Sequence, residues 1–306
     1  MTWTATDSHI ILTGVLCALA CALPGCFLLL RRMSMMGDAI SHAVLPGLAL
    51  AFLFSGARTS WPMFVGAALA GLFTALFTQL IARWGKVERG AAMGIVFTTL
   101  FALGLILIEH GAGNVDLDAR CVLYGALEYV GLETVTLFET FLVPRAALVI
   151  GMVLFGNVVL ITLFFKEFVL SSFDPALART QGFRPQLMHY LIMTMVAVTT
   201  VATFEAVGSI IVIAMLIVPP ATAYLITQKL PAFFFLSLLF AALAAILGHL
   251  SAQAMPVFFN LPETSSSGMM ATLSGLLFLL IWIPGLIRKK PKMVAAGGFE
   301  PPTKGL

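Results

Sequence analysis

Nine long apolar runs cover almost the whole of this 306-residue chain. A helix needs about 20 apolar residues to cross the hydrocarbon core of a bilayer, and each run comes close to that length. Only 10% of the residues are charged, whereas soluble domains carry about 25% charged residues. The sequence therefore predicts an all-α, polytopic transmembrane helical bundle with eight or nine spans, some of them broken helices. The runs lie at about residues 10–30, 39–56, 62–82, 91–109, 146–166, 188–205, 208–227, 232–254 and 269–287.

The apolar runs belong to one membrane domain, which we expect to extend over residues 1–290. The pair 188–205 and 208–227 leaves the number of spans open, because only a Glu-Ala-Val-Gly joint divides it. Residues 291–306 are rich in proline and glycine and show no apolar period. Such a segment buries too little apolar surface to fold, so we predict a disordered C-terminal tail.

Most lysine and arginine residues fall in alternate loops between the runs. The opposite loops carry only three arginines against five acidic residues: Arg58, Arg120 and Arg145 against Asp116, Asp118, Glu128, Glu133 and Glu139. Loops rich in Lys and Arg usually face the cytoplasm. With nine spans, this places the N-terminus outside and the C-terminus in the cytoplasm. The longest outside loop, residues 110–144, is expected to contain a short helix near residues 122–130. The basic loops contain Arg31 and Arg32, then Arg83, Lys86 and Arg89, then Lys166, Arg179 and Arg184, then Lys229, and finally Arg288, Lys289 and Lys290.

Several kinds of chemistry are excluded by motifs that the sequence lacks. It contains no GxxxxGK[ST] segment, and so no P-loop site for ATP, and neither HExxH nor GxSxG. The net charge of +3 is scattered over the ends of the runs, so we expect no nucleic-acid partner. Cys17 and Cys21 share a helical face and are either small packing residues or ligands of a soft metal. The lone His249 is interpreted as a packing residue, with metal ligation as the alternative.

The stretch RRMSMMGDAISHAVLPG, residues 31–47, places two ionisable side chains between apolar runs. Asp38 and His42 are four residues apart, so their side chains are neighbours on a helix. A carboxylate and an imidazole can ligate one divalent cation such as zinc, manganese or ferrous iron. Alternatively, Asp38 caps a helix and His42 bonds a neighbouring helix. Pro46 and Gly47 offer a helix break one turn beyond His42.

A second stretch, SSFDPALARTQGF, predicts a short and well-capped helix in a basic loop. Asp174 is a favourable N-cap and Pro175 suits the first helical position. Residues 176–181 can form the helix, and Gly182 is a typical stop residue. The helix either docks into the groove of a partner protein or is a structured connector.

A third stretch, residues 204–226, combines an acid with helix-breaking residues. Glu205 is either a third carboxylate for a passing cation or a polar residue at the outer end of a span. It is followed closely by Gly208 and Ser209. The pair Pro219–Pro220 predicts a broken helix, because proline lacks the backbone N–H donor. Broken backbone in a membrane is tolerated where protein or a water-filled cavity satisfies it, so this segment is expected to line the path of an ion.

Three segments resemble the membrane permeases of bacterial ATP-binding-cassette importers for zinc, manganese and iron. They are LLLRRMSMMGDAISHAVLPGLALAFL (28–53), FDPALARTQG (173–182) and VGSIIVIAMLIVPPATAYLI (207–226). The resemblance extends from about residue 10 to residue 288. It implies a multi-pass protein of the bacterial plasma (inner) membrane that has no permanently bound cofactor and transports manganese, zinc or iron. The stretch NVDLDARCVLYG is more similar to the members assigned to manganese or iron.

The resemblance also implies partners and residue roles. Two permease subunits, identical or related, pair in the lipid membrane, an extracytoplasmic metal-binding protein delivers the ion, and a cytoplasmic ABC ATPase dimer drives transport. Asp38 and His42 would then line the metal path. Residues 260–275 depart from the family, because serines and a glutamate replace a Pro-x-Gly-Pro-like stretch. The coupling helix seated in the ATPase would be formed by Phe173, Asp174, Pro175, Ala176, Leu177, Ala178, Arg179 and Gly182.

Three alternatives remain open at the level of sequence. An ion-driven secondary transporter or channel would need no ATPase. An intramembrane enzyme would need a further catalytic group facing Asp38 and His42, and none is recognisable in the sequence. A permease of the same architecture that carries a metal chelate would need a wide cavity with few ligands.

Overall fold

The computed structural model of the protein describes residues 4–55, 60–111, 127–131, 134–137, 141–259 and 264–287. In this part of the chain, eleven α-helices, one 3₁₀ turn and one β-hairpin follow one another. The helices are α1 (Ala5–Leu30), α2 (Met36–Ser55), α3 (Ser60–Trp84), α4 (Arg89–Gly111), α5 (Arg145–Leu163), α6 (Phe165–Phe173), α7 (Pro175–Thr180), α8 (Pro185–Val207), α9 (Ser209–Ile226), α10 (Leu230–Phe259) and α11 (Ser266–Ile287). The 3₁₀ turn is Leu127–Tyr129, and the strands are β1 (Thr134–Leu137) and β2 (Phe141–Pro144).

Nine of the described helices, all except α6 and α7, are long and apolar enough to cross a membrane. The prediction of a multi-pass helical bundle is therefore confirmed, with nine spans rather than eight. The uncertain pair consists of two helices, α8 and α9, separated at Gly208. Its φ of +83° lies in a region that glycine adopts without the steric cost that other residues pay.

The helix breaks predicted at proline residues are absent. Helix α2 continues through Pro46, and α9 continues through Pro219 and Pro220. A proline inside a helix removes one backbone donor, so Pro220 leaves the carbonyl of Leu216 without its usual partner. Gly25 of α1 lies directly against that carbonyl oxygen, and this close packing covers the exposed acceptor while the helix stays continuous. The breaks expected at these prolines were therefore wrong.

The spans form two groups that α8 joins. Helices α2, α3 and α4 pack together, and α1, α9, α10 and α11 form the other group. Helix α8 contacts α1, α2 and α3, and α5 packs on α1 and α8. Among the largest side chains buried in this core are Phe27, Met36, Ile40, Ile192 and Met215.

Small residues allow close approach between α2 and α3. A Cβ atom on Gly47 would meet the carbonyl oxygen of Gly66, and a Cβ atom on Gly66 would lie 2.6 Å from the carbonyl oxygen of Gly47. In a membrane, helices associate through such close van der Waals packing, because lipid is as apolar as the helix surface. The two glycines therefore set the spacing of this helix pair.

The bundle has two distinct ends. The end of α1, the α3–α4 connection and the helices α6 and α7 lie at one end, which we call the basic end. There Arg31, the residue after α1, donates from Nε to Ser172 Oγ (2.9 Å) and from Nη2 to Ser171 Oγ (2.7 Å), both at the end of α6. The start of α1, the 3₁₀ turn, the hairpin and the α10–α11 connection lie at the opposite end.

The hairpin at the opposite end was not predicted. Strands β1 and β2 pair antiparallel, with Thr134 opposite Pro144 and Leu137 opposite Phe141, within the region expected to be a loop. The short helix expected near residues 122–130 corresponds in the described residues to the 3₁₀ turn Leu127–Tyr129. Residues 112–126 and the predicted tail, 291–306, lie outside the described residues.

Candidate metal-binding site

Helix α2 begins deep in the bundle, not at its basic end. Gly37 lies against the side chain of Leu216, which is near the middle of α9. A Cβ atom on Gly71 would lie 3.1 Å from Ile40 Cγ2 and 2.8 Å from Ala197 Cβ. Gly71 and Ala197 lie near the midpoints of α3 and α8, so the first turns of α2 are at the middle of the bundle.

Asp38 and His42 lie on either side of Ile40 in these first turns. His42 Nε2 is 3.3 Å from Asp38 Oδ1, and the side chains are 29% and 35% exposed, respectively. Asp38 lies two residues inside the start of α2 at Met36, so it is not at the N-cap position that the alternative interpretation required. The pair thus presents one carboxylate and one imidazole on the same face of α2.

Aromatic rings of α4 cover the imidazole. The ring centroids of Phe97 and Phe101 are 6.0 and 5.6 Å from that of His42. The neighbouring Ser41 hydroxyl already donates a hydrogen bond to the carbonyl of Gly37 (2.7 Å). The rings restrict the orientation of His42 and place the pair beside an apolar wall, where charge interactions are stronger than in water.

A carboxylate and an imidazole are two of the side-chain types that ligate divalent metal ions. Zinc prefers four ligands, and manganese and ferrous iron accept mixed nitrogen and oxygen ligands. Within the described residues, no three His, Cys, Asp or Glu side chains come together in a cluster. A cation at Asp38 and His42 would therefore complete its shell with water or with groups from another subunit.

The structure does not place the backbone of Glu205 near Asp38 and His42. Its backbone lies in the last turn of α8, eight residues beyond Ala197, which is about 12 Å along a helix. Its side chain is outside the described residues. The neighbouring Ser209 is buried at the start of α9. Glu205 and Ser209 thus lie towards the opposite end, away from Asp38 and His42.

The predicted short helix is present as α7. Asp174 Oδ1 accepts hydrogen bonds from the backbone N–H groups of Ala176 and Leu177, both 3.0 Å long, which is the arrangement of a helix N-cap. Pro175 takes the first helical position. Gly182, with φ at +85°, ends the segment as expected for a glycine stop.

The side chains of α7 and its flanks divide into an exposed and a buried set. Phe173 is 60% exposed and Leu177 is 44% exposed. Arg179 is also exposed and lines a cavity of about 600 Å³ together with Arg31 and other polar residues of the basic end. Ala178, by contrast, is completely buried, so it holds α7 against its own chain and offers no surface to a partner.

A further polar cluster lies near the opposite end of the bundle. His249 Nε2 is 3.4 Å from Asp7 Oδ1, and Gln253 Nε2 is 2.6 Å from the same oxygen. The sequence offers only a weak signal for this cluster: His249 and Gln253 are four residues apart on one helix face. Asp7 is 246 residues from Gln253 in the chain, so only the fold brings them together.

The comparisons with known proteins cover most of the chain. The model of the ABC 3 transport family matches residues 7–284. The manganese transport system membrane protein MntD of Bacillus subtilis is 44% identical over 288 residues, which are 93% of this chain and 95% of that protein. The zinc transport system membrane protein TroD of Treponema pallidum is 41% identical over 275 residues, which are 90% of this chain and 73% of that protein.

The fold is also similar to a solved structure, that of PsaBC from Streptococcus pneumoniae in complex with Fab. The TM-score is 0.72 at 31% sequence identity, and the match covers 91% of both chains. The similarity therefore includes both groups of spans and not a single helix pair.

Proposed function

Since this chain belongs to the ABC 3 transport family, we propose that it is the membrane-spanning permease subunit of an ABC importer for a divalent transition-metal ion. The ion is manganese, zinc or iron, and it moves into the cytoplasm while a separate subunit hydrolyses ATP. Two relatives are named as manganese and zinc transport proteins, which supports this class of substrate. The observation that carries the proposal is the Asp38–His42 pair at the middle of the bundle.

The pair binds the ion by replacing part of its hydration shell. One oxygen and one nitrogen ligand suit borderline divalent ions, and two ligands from one chain hold them weakly enough to allow release. Ionisable residues at this depth are costly, and they usually mark the path of a substrate. The chain itself forms no covalent intermediate in this scheme.

Metal uptake by the reconstituted complex in lipid vesicles tests the proposal. We expect Asp38→Asn and His42→Gln to reduce uptake of radiolabelled manganese or zinc by at least about tenfold, since each removes a direct ligand. Both substitutions nearly conserve side-chain volume, so assembly with the ATPase should be retained. His9→Gln is the matched control, because it removes an imidazole at the opposite end, outside the proposed path.

Two results would contradict the proposal in different ways. Normal uptake by either variant would show that the pair does not handle the ion. Uptake that continues without any ATPase, driven by a proton or sodium gradient, would favour a secondary transporter instead.

Helix α7 is proposed as the coupling element that the ATPase binds. The proposal is supported by an exposed apolar surface at the basic end, formed by Leu177 of α7 and by Phe173, the last residue of α6. Helix α7 is firmly capped by Asp174. A helix that places apolar side chains in a partner groove is a common mode of recognition. The basic end then faces the cytoplasm, in agreement with the positive-inside pattern.

The other proposed partners follow from the same architecture. A second permease subunit, identical or related, would complete the ligand shell that Asp38 and His42 begin. An extracytoplasmic metal-binding protein would deliver the ion at the opposite end. Asp38 and His42 are about one-third exposed in the isolated chain, which leaves access for such additional ligands.

A further inference from the structure

A group of polar side chains is buried near the opposite end of the bundle, where α1, α10 and α11 meet. Asp7 lies in the first turn of α1, and His249 and Gln253 lie one turn apart on α10. Asp7 is 8% exposed and His249 is 2% exposed. We propose that Asp7, His249 and Gln253 form a second binding site for a divalent first-row transition-metal ion, separate from the pair on α2.

The three side chains converge on one point, and two of the three distances between their polar atoms equal the spacing of ligands around a metal ion. Asp7 Oδ1 is 2.6 Å from Gln253 Nε2 and 3.4 Å from His249 Nε2. The two nitrogen atoms of His249 and Gln253 are 3.4 Å apart. Ligands about 2.1 Å from one ion are separated by about 3.0 Å in an octahedron and about 3.4 Å in a tetrahedron. The two sides that meet at His249 Nε2, 3.4 Å each, equal the tetrahedral spacing. The third side is now a hydrogen bond of 2.6 Å and must lengthen when Gln253 turns its amide oxygen towards an ion.

Gln253 can present an oxygen atom to the ion at the same place. A half-turn of its amide exchanges Nε2 for Oε1, and the two orientations have almost the same shape. Without metal, the amide nitrogen donates to Asp7. With metal, the amide oxygen becomes a third ligand beside the carboxylate and the imidazole.

The protein alone satisfies His249 Nε2 poorly. An N–H···O hydrogen bond is usually about 2.9–3.0 Å long, but Asp7 Oδ1 and Gln253 Nε2 each lie 3.4 Å from Nε2. The other ring nitrogen, Nδ1, is 3.2 Å from Ser266 Oγ on α11. Metal-bound histidines usually donate their second ring N–H to such a group, which directs the lone pair of the first nitrogen towards the ion.

The positions of the ligands are set before any ion binds. Asp7 Oδ2 accepts hydrogen bonds from Thr4 N (2.8 Å) and Thr4 Oγ1 (2.7 Å), which leaves Oδ1 directed at α10. On α10, Gly248 packs against the backbone of Met270 in α11. This contact holds His249 close to Ser266, so the site needs little rearrangement to bind a cation.

The ligand chemistry defines the class of ion. One carboxylate, one imidazole and one amide oxygen suit Zn²⁺, Mn²⁺ and Fe²⁺. The imidazole disfavours Mg²⁺ and Ca²⁺, which prefer oxygen ligands, and the three ligands include no thiolate that would select Cu⁺. The site stands whether or not Asp38 and His42 handle the transported ion.

Zinc binding to the full-length protein in lipid nanodiscs tests the site. The background variant carries Asp38→Asn and His42→Gln, so that the pair on α2 does not contribute. After equilibrium dialysis against Zn²⁺, we expect about one ion per chain in this background. Adding His249→Gln or Asp7→Asn should weaken binding at least about a hundredfold, and Ser266→Ala should weaken it about tenfold. His9→Gln is the matched control on α1 and should leave the affinity unchanged.

A variant that is expected to bind zinc more tightly keeps the site testable even if the substitutions of Asp7 or His249 prevent folding. Gln253→Glu adds a carboxylate next to Asp7 and should raise the affinity for Zn²⁺ at least about tenfold. The site is overturned if the background variant binds no Zn²⁺, if His249→Gln binds as well as the background, or if Gln253→Glu changes nothing. None of these results depends on uptake, so failure here is distinguishable from failure of the proposed function.

Discussion

At the scale of single residues, Gly25 shows how one hydrogen atom in place of a side chain permits a helix contact. Pro220 removes the usual donor to the carbonyl of Leu216, and α1 covers that oxygen at Gly25. A Cα–H group facing a carbonyl oxygen adds a weak favourable contact. The proline and the glycine are therefore coupled, although 195 residues separate them.

Gly25→Ala is predicted to destabilise the protein. The added methyl group would overlap the carbonyl of Leu216, so α1 and α9 must move apart, at a cost of about 1–3 kcal/mol. Thermal unfolding in detergent should show a lower midpoint. The matched control is Gly156→Ala in α5, where a Cβ atom meets nothing within 4 Å. That change should leave the midpoint the same or higher, since alanine favours helix more than glycine does; an unchanged midpoint for Gly25→Ala would contradict the packing argument.

The Asp38–His42 pair could be predicted from the sequence, whereas the Asp7–His249 pair could not. Asp38 and His42 were identified as a candidate site because a spacing of four on a helix makes them neighbours. Their depth was not predictable, because it depends on how far α2 starts from the basic end. The Asp7–His249 pair, in contrast, joins different helices, and the sequence contains no local pattern that links them.

At the scale of elements, α7 was the most predictable part of the candidate machinery. Its N-cap, its first-turn proline and its glycine stop are all local signals, and each acts on the nearest backbone groups. The exposure of its side chains was less predictable. The resemblance counts Ala178 among the residues of the coupling helix, but Ala178 is buried. The exposed apolar side chains are Phe173 and Leu177.

Leu177→Asp is predicted to impair coupling without unfolding the permease. The side chain is 44% exposed, so a charge there remains solvated in the free permease but must lose water in a partner groove. Affinity for the ATPase should fall at least about tenfold, and ATP-dependent uptake should fall with it. Copurification with the ATPase and uptake in vesicles measure the two effects.

Two comparisons make the coupling test specific. Val87→Asp places the same charge at an exposed apolar position of the same end and should retain most ATPase binding. Ala178→Asp buries the charge inside the permease and should lower its unfolding midpoint. Normal coupling in Leu177→Asp would rule out the exposed face of α7 as the docking surface.

At the scale of the whole molecule, the charge of the two ends predicts the orientation in the membrane. We predict that a single cysteine at Tyr129 reacts with a membrane-impermeant thiol reagent added to intact cells, whereas one at Val87 reacts only after permeabilisation. Both positions are exposed. Cys121→Ser removes the native thiol from the loop that is predicted to lie outside, and Cys17, Cys21 and Cys26 are buried. Labelling of Val87→Cys from outside would reverse the proposed orientation.

The type of the spans and the approximate position of each were determined by the sequence alone. A run of about 20 apolar residues has one stable solution in lipid, a helix that satisfies its own backbone. The choice between eight and nine spans was made only by the structure, which separates α8 from α9 at Gly208. The same local physics determined α7 and the neighbouring positions of Asp38 and His42. The prolines misled the prediction, since α2 and α9 continue through them. At Pro220, α1 covers the freed carbonyl of Leu216.

Only the tertiary structure decided which helices pack against each other. It placed the start of α2 at the middle of the bundle, closed α1 onto α9 at Gly25, and brought Asp7 to His249 and Gln253. All spans are similarly apolar, so hydrophobicity does not distinguish one helix partner from another. Partners are selected by the shapes of small residues and by a few polar contacts between helices, and these act between segments far apart in the chain.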